Sequence, residues 1–182
     1  MHFLEHGSMI RFFRHSSNQE QINRICEAIR LAARDPVLFT DYGIEDSLEG
    51  RFEALALHGF LVLRRLSRME PPGPAIAQDL TDAIFASLDR AMREAGVGDI
   101  SVPKHMKRFA RAFLGRAAAY DQALRNGSGA LAQALSRNVY GGRRDAARLV
   151  RYAEAAAAAL ANAPLDVFLK ARIPFPEPSA IS

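Results

Sequence analysis

The sequence predicts an all-α fold: a single compact domain of about six to seven helices around a central buried helix. Apolar residues between Asn18 and Leu169 recur at intervals of three and four, and no run alternates with the period of a strand. Helix start and stop signals punctuate these runs, with N-cap residues ahead of them and Gly43, Gly96 and Gly127 behind them. The balance of 49% hydrophobic and 24% charged residues is that of an ordered globular chain, and 182 residues suffice for one core.

The elements follow in order. Ser17-Asn18-Gln19-Glu20 has capping-box spacing, and Ile22, Ile25, Ile29 and Ala33 mark a first helix to Arg34. Asp35-Pro36 supplies an N-cap and a first-turn proline for a short piece ending at Gly43. Asp46-Ser47-Leu48-Glu49 reads as a second capping box, opening a long helix to about Met69. Leu48, Phe52, Leu55, Val62 and Leu66 form its stripe, which Leu57, Phe60, Leu61 and Leu63 widen almost all round, so this helix is the central one.

Pro71-Pro72-Gly73-Pro74 breaks the chain before a helix carrying Ile76, Leu80, Ile84, Leu88 and Met92. The next runs from Lys104 to Asn126, with Met106, Phe109, Phe113, Ala117, Tyr120 and Leu124 inward. Two more cover about Gly129 to Tyr140 and Arg143 to Asn162, the second alanine-rich. Residues 18–170 thus form the helical domain, residues 1–17 a tag-like or flexible N-terminus and residues 171–182 an extended proline-rich tail. Gly7-Ser8-Met9 reads as a cloning junction, which makes Met9 the natural start. Leu55, Phe60, Leu63, Phe85, Phe109 and Phe113 are expected in the core.

Cys26 is the only cysteine, so neither an intrachain disulfide nor a multi-cysteine metal site is available, which favours a reducing compartment. No apolar run approaches the ~20 residues that cross a bilayer, and the N-terminus lacks a secretory signal, so a cytoplasmic protein is expected. Enzyme signatures are missing: there is no H-E-x-x-H, no E-x-x-H pair, no G-x-S-x-G elbow and no phosphate loop. Gly96-Val97-Gly98-Asp99 follows a helix and lacks a third glycine, so it reads as a turn and not a dinucleotide loop. No catalysis, metal or cofactor is therefore expected.

His58 lies on the most apolar helix with no second ligand at metal spacing, so a neutral core imidazole is the simpler reading. Arg64, Arg65 and Arg68 end the same helix, where they suit the negative end of its dipole or could form a contact patch. Arg51 and Glu53 are expected to be partly structural, with Arg51 half-buried against Asp46, Asp99 or Asp121. Lys104, Lys107, Arg108 and Arg111 fall at helical spacings of three and four, and no acidic residue lies between Val102 and Tyr120. An ordinary solvated face would mix signs, so this one-signed stripe is a candidate contact with an acidic partner or lipid headgroups.

The string Asp41-Tyr42-Gly43-Ile44-Glu45-Asp46-Ser47-Leu48-Glu49-Gly50-Arg51-Phe52-Glu53, continued by Leu57-His58 and Phe60 to Leu66, resembles the ubiquinol-cytochrome c chaperone family. A second block agrees: Gly96, Gly98 and Asp99, then Val102-Pro103-Lys104, Met106-Lys107, Phe113, Gly115-Arg116 and Tyr120. Arg137-Asn138-Val139-Tyr140 is a third. The departures are Glu45, Leu114 and Gly59, where the family has proline, an aromatic and a bulky apolar residue; Gly59 is expected to thin a partner-holding surface.

The resemblance implies an all-helical chaperone that holds newly made cytochrome b during assembly of the cytochrome bc complex, with no reaction of its own. Mitochondrial relatives carry an added targeting segment and act with a small partner protein. The expectation here is a bacterial version, peripheral at the inner face of the cytoplasmic membrane, in which Arg64 and Arg65 join the Lys104 to Arg111 stripe as candidate contacts. The competing reading is an RNA- or ribosome-binding helical protein, motivated by Arg137, Arg143, Arg144, Arg148 and Arg151. Few aromatics accompany those arginines, which disfavours nucleic acid.

Overall fold

The computed structural model describes residues 6–94, 96, 98–99 and 101–181, with side chains from Asn18 onward. Residues 1–5 of the tag-like segment lie outside the described residues. Eight α-helices follow one another: α1 (His6–Ala32), α2 (Pro36–Thr40), α3 (Leu48–Leu66), α4 (Gly73–Glu94), α5 (Val102–Asn126), α6 (Ser128–Tyr140), α7 (Ala147–Ala161) and α8 (Leu165–Leu169). No strand occurs among the described residues.

Helix α3 is the axis. Every residue from Phe52 to Val62 is buried, including Glu53 and His58. Around it α1 packs on α4, α4 on α5, α5 on α6 and α6 on α7, and each of the five also touches α3. A helix apolar on nearly every side needs such a sheath. The larger core cluster fills the centre, while Phe52, Ala56, Met92, Val102, Phe109 and Phe113 form a smaller one beneath the start of α5.

Several local expectations change. The Ser17 to Glu20 box does not start a helix, because α1 already runs through it; serine and asparagine lower helix propensity without stopping a helix. The cap of α3 is Ser47, whose hydroxyl accepts from the Gly50 amide at 3.2 Å, which frees Asp46 for Arg51. Helix α7 begins at Ala147 and not Arg143, since Gly141 and Gly142 both take positive φ and the Asp145 carboxylate accepts from the Ala147 amide. Helix α8 is an element that the periodicity did not resolve. Leu63 and Phe85 are only partly buried, and Leu48 is 45% exposed.

The proline-rich end is extended but docked. Tyr42 donates its hydroxyl to the Pro178 carbonyl at 2.8 Å, Arg148 donates to Ile181, and Phe175 meets the His58 ring at 5.0 Å. These contacts fasten the chain's end over α3 and α7.

Candidate functional site

Helix α5 divides cleanly. Val102, Phe109, Phe113 and Tyr120 point inward and are buried, while Lys104, Lys107, Arg108 and Arg111 are exposed. The four span roughly 100° of the helix at 3.6 residues per turn and form one face. Pro103 opens the helix and no acidic residue stands in its first turn. Lysines near the positive end of a helix dipole gain nothing from it, so their placement is not explained by helix stability. Arg108 reaches Glu49 at only 3.5 Å and lies over the Phe109 ring, while Leu114, 62% exposed, borders the same face.

Arg64 and Arg65 are differently placed. Arg64 donates to Asp121 Oδ1 at 2.8 Å and Arg68 to the same oxygen at 2.7 Å, while Arg125 holds Oδ2 at 2.5 Å. Burial works against the Asp121 carboxylate, but these guanidiniums hold it below its ordinary range. Arg65 donates to the Ala163 carbonyl at 3.0 Å, tying α3 to the end of α7. Both arginines are committed to fastening helices together.

The residues that carry the resemblance also act within the fold. Gly43 has φ of 69°, and a Cβ there would overlap the Arg144 guanidinium, which donates to the Gly43 carbonyl at 3.2 Å. A Cβ on Gly50 would lie 1.9 Å from the Glu45 carbonyl oxygen, so the chain can enter α3 this tightly only with glycine. Tyr140 donates to the Tyr42 carbonyl at 2.8 Å. Arg51 pairs with Asp46 at 2.7 Å, one of the carboxylates expected for it, but is over half exposed instead of half-buried. Asp99 pairs with Arg93 at 2.5 Å. Gly59 is buried, and Ile84 and Phe113 fill the space beside its Cα, so its absent side chain thins no surface.

Two buried polar groups are satisfied. Arg116 forms a bidentate pair with Glu53, its Nε 2.6 Å from Oε2, and stacks over Phe52. Burial pushes the Glu53 carboxyl up, and the guanidinium offsets part of that. His58 Nδ1 lies 2.8 Å from the Ala54 carbonyl, an acceptor only, so it carries the proton; Nε2 then accepts from the Tyr152 hydroxyl at 2.7 Å. Full burial lowers His58 to about 4, the neutral core imidazole expected. Among the described residues no group of three or more His, Cys, Asp or Glu is placed to hold a metal ion, and no helix is long and apolar enough to cross a membrane.

A sequence profile of the ubiquinol-cytochrome C chaperone family matches residues 40–175. The chain belongs to that family. The matched span contains Asp41, Tyr42, the Gly50-Arg51-Phe52 turn, Gly115-Arg116 and Tyr140, so the residues that suggested the resemblance lie inside it. The fold is similar to the crystal structure of the Cbp3 homolog from Brucella abortus, with a TM-score of 0.82 and 33% identity over 96% of this chain and 99% of that one. No curated protein matches the chain by sequence. Family membership and the all-helical architecture agree with what the motifs implied.

Proposed function

We propose that this chain is an assembly chaperone that binds newly made cytochrome b during biogenesis of the cytochrome bc complex. The observation that carries the reading is the family match over residues 40–175. The exposed face of Lys104, Lys107, Arg108 and Arg111 is its contact with the client or with anionic headgroups, working from a peripheral position at the inner face of a bacterial cytoplasmic membrane. Each basic residue near such a surface contributes about 1 kcal/mol to attachment. Arg64 and Arg65 have structural partners, which leaves the contact to α5. The chaperone acts without catalysis, alone or beside a small co-chaperone.

The nucleic-acid reading loses support because two of its five arginines are used internally. Arg144 holds Gly43, and Arg148 donates to Ile181 while stacking over Tyr42 at 4.5 Å. The experiment is recovery of cytochrome b with the tagged protein from solubilised membranes of a bacterium that makes the cytochrome bc complex. Enrichment of cytochrome b supports the reading, and ribosomal RNA in its place overturns it.

A further inference from the structure

Beside the basic face, a pocket of about 170 Å³ opens between α1, α3, α4 and α5. Phe52, Leu55, Met92 and Phe109 line it with apolar surface, continuous with the smaller core cluster. Leu48, among the few large apolar side chains exposed on the described surface, stands in the same wall. Arg30, Arg34 and Arg51 supply its charged lining, and no carboxylate lines it among the described residues. Arg30 is held by Glu27 and Arg51 by Asp46, whereas Arg34 hydrogen-bonds no carboxylate among the described residues.

Size and charge together select an occupant. Small-molecule sites run to roughly 300–1,000 Å³, whereas a space of about 150 Å³ holds one benzene-sized group. The pocket therefore suits a single side chain better than a whole ligand or a full acyl chain. A cationic surround favours carboxylates beside that side chain. We infer that the pocket receives one bulky apolar side chain from a partner protein segment whose flanking residues are acidic. The inference asks only that the chain bind a protein and does not depend on the α5 face or on the identity of the client.

The test uses labelled synthetic peptides with a central phenylalanine between glutamates and aspartates, measured by fluorescence anisotropy. Control peptides carry alanine at the centre or lysines at the flanks. Ala91, half-buried in the pocket wall on α4, is replaced by leucine to fill the space, and Arg34→Glu reverses the charge of the lining arginine that hydrogen-bonds no carboxylate among the described residues. The acidic phenylalanine peptide is expected to bind the intact protein and to bind Ala91→Leu and Arg34→Glu about tenfold or more weakly, with unchanged melting. Both control peptides are expected to be weaker by a similar factor. The variant with Lys104, Lys107, Arg108 and Arg111 changed to glutamine should keep the peptide, which separates this result from the fate of the α5 reading. No peptide binding to the intact protein, equal binding by Ala91→Leu, or equal binding of the lysine-flanked peptide overturns the inference. Weaker attachment of Ala91→Leu to phosphatidylglycerol vesicles with peptide binding intact makes an acyl chain the occupant and also overturns it.

Discussion

Arg116 of α5 closes a bidentate ion pair on Glu53 of α3, placing a carboxylate whose side chain is only 8% exposed against a guanidinium on the helix beside it. Removing one partner of such a pair strands the other's charge out of water, which costs about 3 to 5 kcal/mol. Arg116→Ala should therefore lose about 3 kcal/mol in urea unfolding. Exchanging both residues for apolar ones of similar volume should recover most of that loss. A single variant as stable as the parent would show that the pair contributes nothing to holding α3 and α5 together.

His58 sets an acid limit. Its folded-state value near 4 lies below the ordinary 6.5, so the unfolded chain takes up the proton first. Stability from this group is complete above pH 6.5 and is lost as pH falls towards 4, in total about 3 kcal/mol. Comparing the pH dependence of unfolding for the parent and His58→Gln isolates the contribution. Parallel curves through that window would mean that the imidazole is not held neutral.

The α5 face and the Asp121 cluster should separate binding from folding. Changing Lys104, Lys107, Arg108 and Arg111 to glutamine should shift stability by no more than about 0.5 kcal/mol per site. The same variant should bind anionic vesicles several hundredfold less, from roughly 4 kcal/mol lost in all. Asp121→Ala should behave in the opposite way, costing about 1 kcal/mol because Arg64, Arg68 and Arg125 lose the carboxylate they share, with vesicle binding unchanged. Calorimetry and vesicle flotation on both variants check the contrast.

The helices were legible because their cues are local. Asp35 caps α2 through its carboxylate and Pro36 stands in its first turn, as their positions in the sequence imply. Those cues failed where a local signal had a second use. Ser17 to Glu20 reads as a cap but lies inside α1, and Asp46 yields its capping role to Ser47. The fate of individual arginines was not legible, because the difference between Arg65 on the Ala163 carbonyl and exposed Arg111 depends on residues far along the chain. The same holds for the arginine-lined pocket, whose walls come from four helices and which no single stripe announces.

Cytochrome b binding through α5 is measured by quantitative recovery of cytochrome b with the tagged protein from solubilised membranes, run in parallel for the parent and for the variant with glutamine at 104, 107, 108 and 111. Cytochrome b peptides should be enriched with the parent and strongly depleted with the variant, at equal melting temperature. Cytochrome b absent from the parent's eluate would contradict the chaperone assignment, and equal recovery by both proteins would move the contact away from α5.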